Sequence, residues 1–339
     1  MVLLGWLSTG SMNNARYQHT ASVLTNGNVL VTGGSGNSGL LNSTELYDPS
    51  TGTWTMTGSM NNQRYWHTAS VLTNGKVLVT GGWESSGGSV NSTELYDPST
   101  GTWTMTGSMN NGRYGHTASV LTNGKVLVTG GWRSSGDPIN STELYDPSTG
   151  TWTMTGSMNN QRYWHTASVL TNGKVLVTGG WRSSGDPINS TELYDPSIGT
   201  WTMTGSMNNA RYLHTASVLT NGKVLVTGGS GSSGDSINST ELYDPSTGTW
   251  TMTGSMNNER YAHTASVLTN GNVLVTGGWR RSGSSVNSTE LYDPSTVTWT
   301  MTGSMNNARY QHTASVLTNG NVLVTGGLNG IALNNSELY

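Results

Sequence analysis

The sequence repeats one unit seven times, and this repetition constrains the fold more than any other feature. The segment His-Thr-Ala-Ser-Val-Leu-Thr-Asn-Gly recurs with its histidine at positions 19, 67, 116, 165, 214, 263 and 312, a spacing of 49 residues with one interval of 48. A fixed period of this size is typical of arrays whose units bury their apolar faces against their neighbours. We therefore predict one modular domain over residues 1–339.

Each unit is predicted to contain four short strands, a to d. In the unit after Gln161 they cover about 162–171, 174–180, 190–194 and 200–205, because β-branched and aromatic residues fill these runs. Asn172-Gly173 favours a two-residue type I′ turn between strands a and b. No helical period is present. Four antiparallel strands in each of seven units predict an all-β, seven-bladed β-propeller.

A further pattern carries a family resemblance. A Gly-Gly pair ends strand b, and a Tyr and a Trp with six residues between them follow, as in Gly81-Gly82, Tyr96 and Trp103. This pattern resembles the kelch repeat over essentially the whole chain. The resemblance implies a ring of blades with strand a lining the axis. Some kelch propellers are copper oxidases that use a Tyr–Cys crosslink, but this chain contains no cysteine.

The two ends of the chain are predicted to complete one blade together. Trp6 matches Trp54 of strand d, and the chain stops in strand c at Tyr339. We expect residues 1–10 to supply the outer strand of the last blade, which residues 308–339 form. This pairing would remove an open sheet edge.

Polar residues that recur in every unit are predicted to be structural. The histidines are expected to be hydrogen-bonded; a metal site is the alternative, but ligands from seven blades would diverge around the axis. Seven Arg before Tyr and seven Glu in strand c suggest ion pairs, with an Arg crown for anionic ligands as the alternative. The Trp, Tyr and Met of strands c and d are expected to fill the space between blades.

The positions that differ between units cluster on one rim. Antiparallel strand order places the d–a and b–c connections together on what we call the upper rim. A two-residue Asn-Gly turn would pair Trp66 with Trp83 and Trp164 with Trp181. Drift of surface loops is the simpler explanation of this variation, but exposed Trp pairs are costly without a ligand. The candidate ligand-binding residues are Trp66, Trp83, Trp132, Trp164, Trp181, Trp279, Arg133, Arg182 and Arg280.

These features predict a non-enzymatic binding or scaffold propeller that recognises a protein, peptide or glycan through the upper rim. The alternative is a structural building block that self-associates into oligomers or fibres without a soluble ligand. No residue suited to catalysis stands alone in a distinctive setting, and no cofactor or metal is expected. The net charge of −3 argues against nucleic acid as a partner. The apolar runs are too short to insert into a membrane.

Each unit also carries one Asn-x-Ser/Thr sequon, which is a candidate glycosylation site if the protein is secreted from a eukaryotic cell. The first residues, Met1 to Trp6, are too short for a signal peptide and have no basic start. The protein is therefore expected either to stay inside the cell or to lack a leader here, and the second case favours an extracellular location. The sequon residues are Asn42, Asn91, Asn140, Asn189, Asn238, Asn287 and Asn334.

Overall fold

The computed structural model describes residues 5–339, which form seven four-stranded antiparallel sheets around one axis. This arrangement confirms the predicted seven-bladed propeller, and the described residues contain no helix. The innermost strands contact those of the neighbouring blades all the way round, including blade 1 with blade 7.

The four strands of blades 1 to 7 follow one pattern. Strand a covers Thr20–Val23, Thr68–Val71, Thr117–Val120, Thr166–Val169, Thr215–Val218, Thr264–Val267 and Thr313–Val316. Strand b covers Val29–Thr32, Val77–Thr80, Val126–Thr129, Val175–Thr178, Val224–Thr227, Val273–Thr276 and Val322–Thr325. Strand c covers Thr44–Asp48, Thr93–Asp97, Thr142–Asp146, Thr191–Asp195, Thr240–Asp244, Thr289–Asp293 and Ser336–Leu338. Strand d covers Thr53–Thr57, Thr102–Met105, Thr151–Met154, Thr200–Met203, Thr249–Met252, Thr298–Thr302 and, for blade 7, Leu7–Thr9.

Short two-stranded hairpins add to the b–c connections of four blades. They pair Ser35–Gly36 with Gly39–Leu40, Trp83–Glu84 with Gly88–Ser89, Trp279–Arg280 with Ser284–Ser285, and Leu328–Asn329 with Ile331–Ala332.

The turn between strands a and b is one residue longer than predicted. In blade 4 the Leu170 N–H donates to the Lys174 carbonyl at 2.8 Å, and the Gly173 N–H donates to the Leu170 carbonyl at 2.9 Å. Three residues therefore form the loop, and among them only Gly173 has a positive φ, of 79°. This is the geometry of a type I turn followed by a left-handed glycine. The predicted type I′ turn, and the strand register derived from it, are wrong by one residue.

Closure of the ring by the N-terminal strand is confirmed for the described residues. Leu7 pairs with Leu338 and Thr9 with Ser336, so that Leu7–Thr9 forms strand d of blade 7. Trp6 is buried beside Tyr339, with ring centroids 5.3 Å apart, and its Nε1 donates to the Gly303 carbonyl at 2.9 Å. Residues 1–4 of the predicted closing segment lie outside the described part of the chain.

The apolar core lies between adjacent blades. Leu24 and Leu30 of blade 1 pack against Val77 and Tyr96 of blade 2, and the same cluster recurs around the ring. The strand-c Tyr and strand-d Trp side chains join these clusters, as predicted, and they also lie beside each other, with ring centroids 5.1 Å apart for Tyr47 and Trp54. The strand-d methionines were predicted incorrectly, because Met56 and its equivalents are about half exposed.

Candidate binding face on the upper rim

A circle of main-chain hydrogen bonds surrounds the axis on the upper rim. It consists of the residue that follows Arg-Tyr in each blade, and each N–H donates to the carbonyl of its counterpart in the preceding blade at 2.9 to 3.3 Å. All these residues have φ between 51° and 60°, a left-handed conformation that turns the chain from the rim into strand a. The circle contains Gln18, Trp66, Gly115, Trp164, Leu213, Ala262 and Gln311.

The predicted Trp66/Trp83 and Trp164/Trp181 cross-strand pairs do not form. The extra loop residue shifts the register, so that Trp83 bridges to Tyr65 and Trp181 bridges to Tyr163. Trp66 and Trp164 belong to the axial circle, whereas Trp83 and Trp181 begin the b–c connections. The predicted placement of both Trp columns on one rim is nevertheless correct, since each bridge joins a d–a connection to a b–c connection.

The circle and the b–c connections together create one continuous aromatic surface. Trp66 stacks on Tyr65 and Tyr114, and Trp164 contacts Tyr163 and Tyr212, with centroids 4.4 to 5.9 Å apart. Edge contacts add the Trp residues of the b–c connections. We call this set the aromatic sector; it comprises Tyr65, Trp66, Trp83, Tyr114, Trp132, Tyr163, Trp164, Trp181 and Tyr212.

The two halves of the aromatic sector meet over a glycine. Trp66 and Trp164 lie with centroids 5.5 Å apart, although Gly115 separates them in the circle. A Cβ added to Gly115 would lie 3.1 Å from Trp164 Cδ1 and Nε1. Absence of a side chain at this position therefore allows the two indoles to touch.

The aromatic sector occupies only one side of the ring. Its residues lie at the entrances of blades 2 to 5, while the circle carries Gln18, Ala262 and Gln311 on the opposite side. Trp279, the remaining Trp candidate, contacts Tyr310 in a separate pair with centroids 4.6 Å apart. All six candidate Trp side chains are half-buried, so each is supported by the protein and partly open to solvent.

The candidate arginines differ from one another in exposure. Arg133 and Arg182 are exposed at the tips of b–c connections, where their main-chain N–H groups donate to the main-chain carbonyls of Asp137 and Asp186. Arg280 is half-buried, and its guanidinium donates to the Asn258 side chain. Only the first two therefore offer a free guanidinium beside the aromatic sector.

The repeated arginines and glutamates form buried ion pairs within each blade. Arg162 Nη2 lies 2.7 Å from Glu192 Oε1, and neither side chain is exposed to solvent. Arg162 also donates to the carbonyls of Gly179 and Ser190, while Glu192 accepts from the Asn159 and Asn160 N–H groups. Through these bonds Arg162 links the d–a connection to the end of strand b and to strand c. Because the repeated arginines are buried, they do not form the alternative crown for anions.

Hydrogen bonds and charge keep Glu192 ionised despite its burial. Burial alone raises the pKa of Glu192, but the Asn159 hydrogen bonds and the Arg162 charge outweigh it and hold the pKa below its ordinary value. Burial lowers the pKa of Arg162, and Glu192 opposes that effect.

Each repeated histidine connects its blade to the preceding one. His67 of blade 2 is buried, with Nε2 lying 3.1 Å from Thr20 Oγ1 and 3.2 Å from Thr32 Oγ1 of blade 1. Gly-Gly leaves room for these rings, since a Cβ on Gly81 would lie 2.8 Å from His116 Cε1 and one on Gly82 would lie 3.0 Å from His67 Cβ. Within residues 5–339, no group of three His, Cys, Asp or Glu side chains is arranged to hold a metal ion.

We expect the stability of the propeller to decrease as the pH falls from about 6.5 toward 3. Burial, followed by the charges of Arg64 and Arg16, lowers the pKa of His67 from its ordinary 6.5 to about 3. In this range the unfolded chain binds a proton that the folded chain does not, so acid favours unfolding. Urea unfolding at about pH 7.5 and pH 5 would measure this decrease.

The variant His67→Gln is the control for this pH prediction. It should be less stable than the parent chain at neutral pH but should lose less stability on acidification, because one titrating imidazole is absent. An identical pH dependence in both proteins would show that His67 does not contribute to it.

The sequon asparagines lie at the start of strand c and are held by the main chain. Asn189 Nδ2 donates to the Met207 carbonyl at 2.9 Å, and every other sequon Asn makes the equivalent bond to the Met within the d–a connection that leads to the next blade. Thr191, the third residue of its sequon, is fully buried. Glycosylation at these sites stays a prediction.

Sequence reasoning missed the tyrosine that precedes each residue of the circle. Tyr65, Tyr114, Tyr163 and Tyr212 support both Trp columns, and burial raises the pKa of Tyr163 to about 12. A signal for them existed, because Tyr lies beside the variable column in all seven units.

Below the circle, a cavity of ≈ 540 Å³ follows the axis. It is lined by the His, Thr and Ala that begin strand a in every blade. No helix long and apolar enough to cross a bilayer occurs between residues 5 and 339.

A seven-bladed ring with this Gly-Gly, Tyr and Trp framework defines the kelch class of β-propellers. Residues 6–229 match the family model described as the Attractin/LZTR1 beta-propeller, and residues 164–339 match the KLHDC2/KLHL20/DRC7 Kelch-repeats domain. The chain therefore belongs to the kelch-repeat β-propeller family.

Solved structures support the same fold. A fungal alcohol oxidase of the AA5 family, solved in complex with copper, superposes with a TM-score of 0.79 and 22% identity, covering 99% of this chain and 76% of its own. YjhT superposes with a TM-score of 0.68 and 18% identity, covering 86% of this chain and 98% of its own. At these identities the likeness concerns the fold alone. No curated protein matches the sequence.

Proposed function

We propose that the protein is a non-enzymatic binding module that recognises a protein, peptide or glycan through the aromatic sector. The observation that carries this proposal is the restriction of nine contacting aromatic rings to one side of an otherwise repetitive ring. Partly open Trp and Tyr faces suit flat apolar groups, such as sugar rings or apolar peptide side chains.

Charges around the aromatic sector favour a ligand of low net charge. The exposed Arg133 and Arg182 are accompanied by Asp137 and Asp186 on the same connections. Because each connection carries one exposed charge of each sign, it offers hydrogen-bonding groups at the edge of the surface without a strong field of one sign.

A non-enzymatic role is supported by how the repeated polar residues are used. Arg162 and Glu192 are buried against each other, and His165 is bonded to threonines of the preceding blade. The Arg–Glu pair fixes each blade internally and the His connects neighbouring blades, so these groups recur in seven copies rather than converge on one reacting atom. The alcohol oxidase shares the fold, but this chain has no cysteine for the Tyr–Cys crosslink that copper oxidases of the kelch type use.

Changing Trp164 and Trp181 together to Ala is expected to abolish ligand binding while the chain still folds. Both indoles contact Tyr212 within the aromatic sector, so their removal takes away a large part of its surface. Hits for the parent chain would be identified on a glycan array and a peptide array. Binding of those hits, and the melting temperature, would then be measured for the variant.

Trp279→Ala is the matched control, because Trp279 occupies the same column as Trp181 but lies outside the aromatic sector. It should keep the binding that the double variant loses. Loss of cooperative folding in the double variant would assign Trp164 and Trp181 to the core. If the parent chain binds nothing on either array but its size grows with concentration in sedimentation, the self-associating building block replaces this proposal.

A further inference from the structure

The methionines of the propeller fall into two classes that differ sharply in exposure. In blades 1 to 6, a strand-d Met is 48–49% exposed; these perimeter methionines are Met56, Met105, Met154, Met203, Met252 and Met301. Four residues later in the chain, a second Met is 1% exposed, as in Met60, Met109, Met158, Met207, Met256 and Met305.

We propose that the perimeter methionines are sites of reversible oxidation by hydrogen peroxide, and that the folded propeller tolerates oxidation of all six. The thioether sulfur attacks one peroxide oxygen, an S–O bond forms as the O–O bond breaks, and a proton shift releases water. Sulfur is oxidised to the sulfoxide and peroxide is reduced, so each site consumes one peroxide. Sulfoxide reductases reverse this modification.

The surroundings of each perimeter methionine favour an added oxygen. Met56 lies opposite Glu45 in the sheet, and Asn14 Nδ2 approaches its sulfur at 3.7 Å. Equivalent asparagines lie 3.4 to 4.0 Å from the other perimeter sulfurs. A thioether is a weak acceptor, whereas a sulfoxide oxygen is a polar acceptor that can use the same amide.

Blade 7 shows that an oxygen fits at this position. Its strand d has Ser8 where the other blades have the perimeter Met, and Ser8 pairs with Glu337 as Met56 pairs with Glu45. Asn306 Nδ2 lies 3.4 Å from Ser8 Oγ, so the same asparagine contact is made to an oxygen. The blade framework is therefore compatible with a polar atom at the end of this side chain.

The second class of methionine is shielded from solvent and therefore from peroxide. Met207 is buried, and its Cε would lie only 3.2 Å from a Cβ added to Gly179. Oxidation at such a site requires the blades to separate first. The structure thus predicts selective oxidation rather than uniform oxidation of all methionines.

Peptide mapping after peroxide treatment of the folded full-length chain tests this proposal. Trypsin cleavage after Lys and Arg places each perimeter methionine and its buried neighbour in one peptide: 17–64, 77–113, 134–162, 183–211, 224–260 and 282–309. Each peptide should gain one oxygen, located by fragmentation on the perimeter Met, at a rate on the order of tenfold above that of its neighbour. Comparable oxidation of both methionines in these peptides would overturn the proposal.

Two controls complete the experiment. Met12 is the buried Met that follows strand d of blade 7. Four residues earlier that strand has Ser8 instead of a perimeter Met, so the Met12 sulfur should stay unoxidised. A chain with all six perimeter methionines changed to Leu should gain no oxygen in the six peptides; if that variant fails to fold, the map of the parent chain decides alone.

After full perimeter oxidation the melting temperature should stay within about 5 °C of the untreated value, and loss of cooperative unfolding would contradict the proposed tolerance.

Discussion

Deleting residues 1–10 is expected to lower the melting temperature on the order of 10 °C and to promote oligomers. The deletion removes the outer strand of blade 7 and empties the site of Trp6, a residue only 8% exposed. Loss of a buried Trp alone costs about 3–5 kcal/mol, the lost strand pairing adds to this cost, and each kcal/mol lowers the melting temperature by roughly 1.5 °C in a chain of this length. Calorimetry and sedimentation would measure the two effects.

The control for this deletion is Leu7→Ser, which changes an exposed residue of the same strand. Leu7 is 48% exposed, so its replacement should leave both the melting temperature and the size of the protein nearly unchanged. A truncated chain that melts like the parent and stays monomeric would show that Leu7–Thr9 is dispensable for ring closure.

Glu192→Gln is expected to lower the free energy of unfolding by about 3–5 kcal/mol, because it leaves the charge of Arg162 buried without a counter-charge. The two side chains are 2.7 Å apart and fully enclosed. Gln keeps the size of the side chain, so the loss reports the charge rather than a cavity. Urea unfolding at neutral pH measures it.

Lys174→Met provides the comparison within the same blade. Lys174 Nζ lies 3.0 Å from Asp195 Oδ2, but the lysine side chain is 41% exposed and the pair is open to solvent. Its removal should change stability far less than Glu192→Gln does. Equal effects of the two substitutions would mean that the buried Arg–Glu pair gives the blade no special stability.

Most of the fold was predictable because every blade repeats the same signals. The four strands, their order and closure by the N-terminal strand all follow from period, β-branched runs and the match of Trp6 to Trp54. The length of the a–b turn could not be predicted, because Asn-Gly is compatible with loops of two or three residues. Among the three residues of this loop in blade 4, Gly173 alone takes the left-handed conformation.

That one-residue difference explains why the site was predicted only in part. Because of the longer loop, Trp181 forms its antiparallel β-bridge with Tyr163 rather than with Trp164. The left-handed conformation of Trp164 follows from hydrogen bonds to residues 49 positions away in both directions, Gly115 and Leu213, which no local pattern reports. Exposure of Met56 was also hidden, since an apolar residue in an outer strand can face either the neighbouring blade or solvent.

The axial circle separates the choice of side chain from the architecture of the ring. Gln, Trp, Gly, Leu and Ala all occupy it with nearly the same φ, and each uses its own N–H and carbonyl to continue the circle. Proline would break it, since proline lacks an N–H and cannot take a positive φ. Residues that accept a positive φ could be varied at these seven positions in a combinatorial library, so that new specificities could be selected without redesign of a single blade, whereas the β-branched Val, Ile and Thr would strain the backbone there.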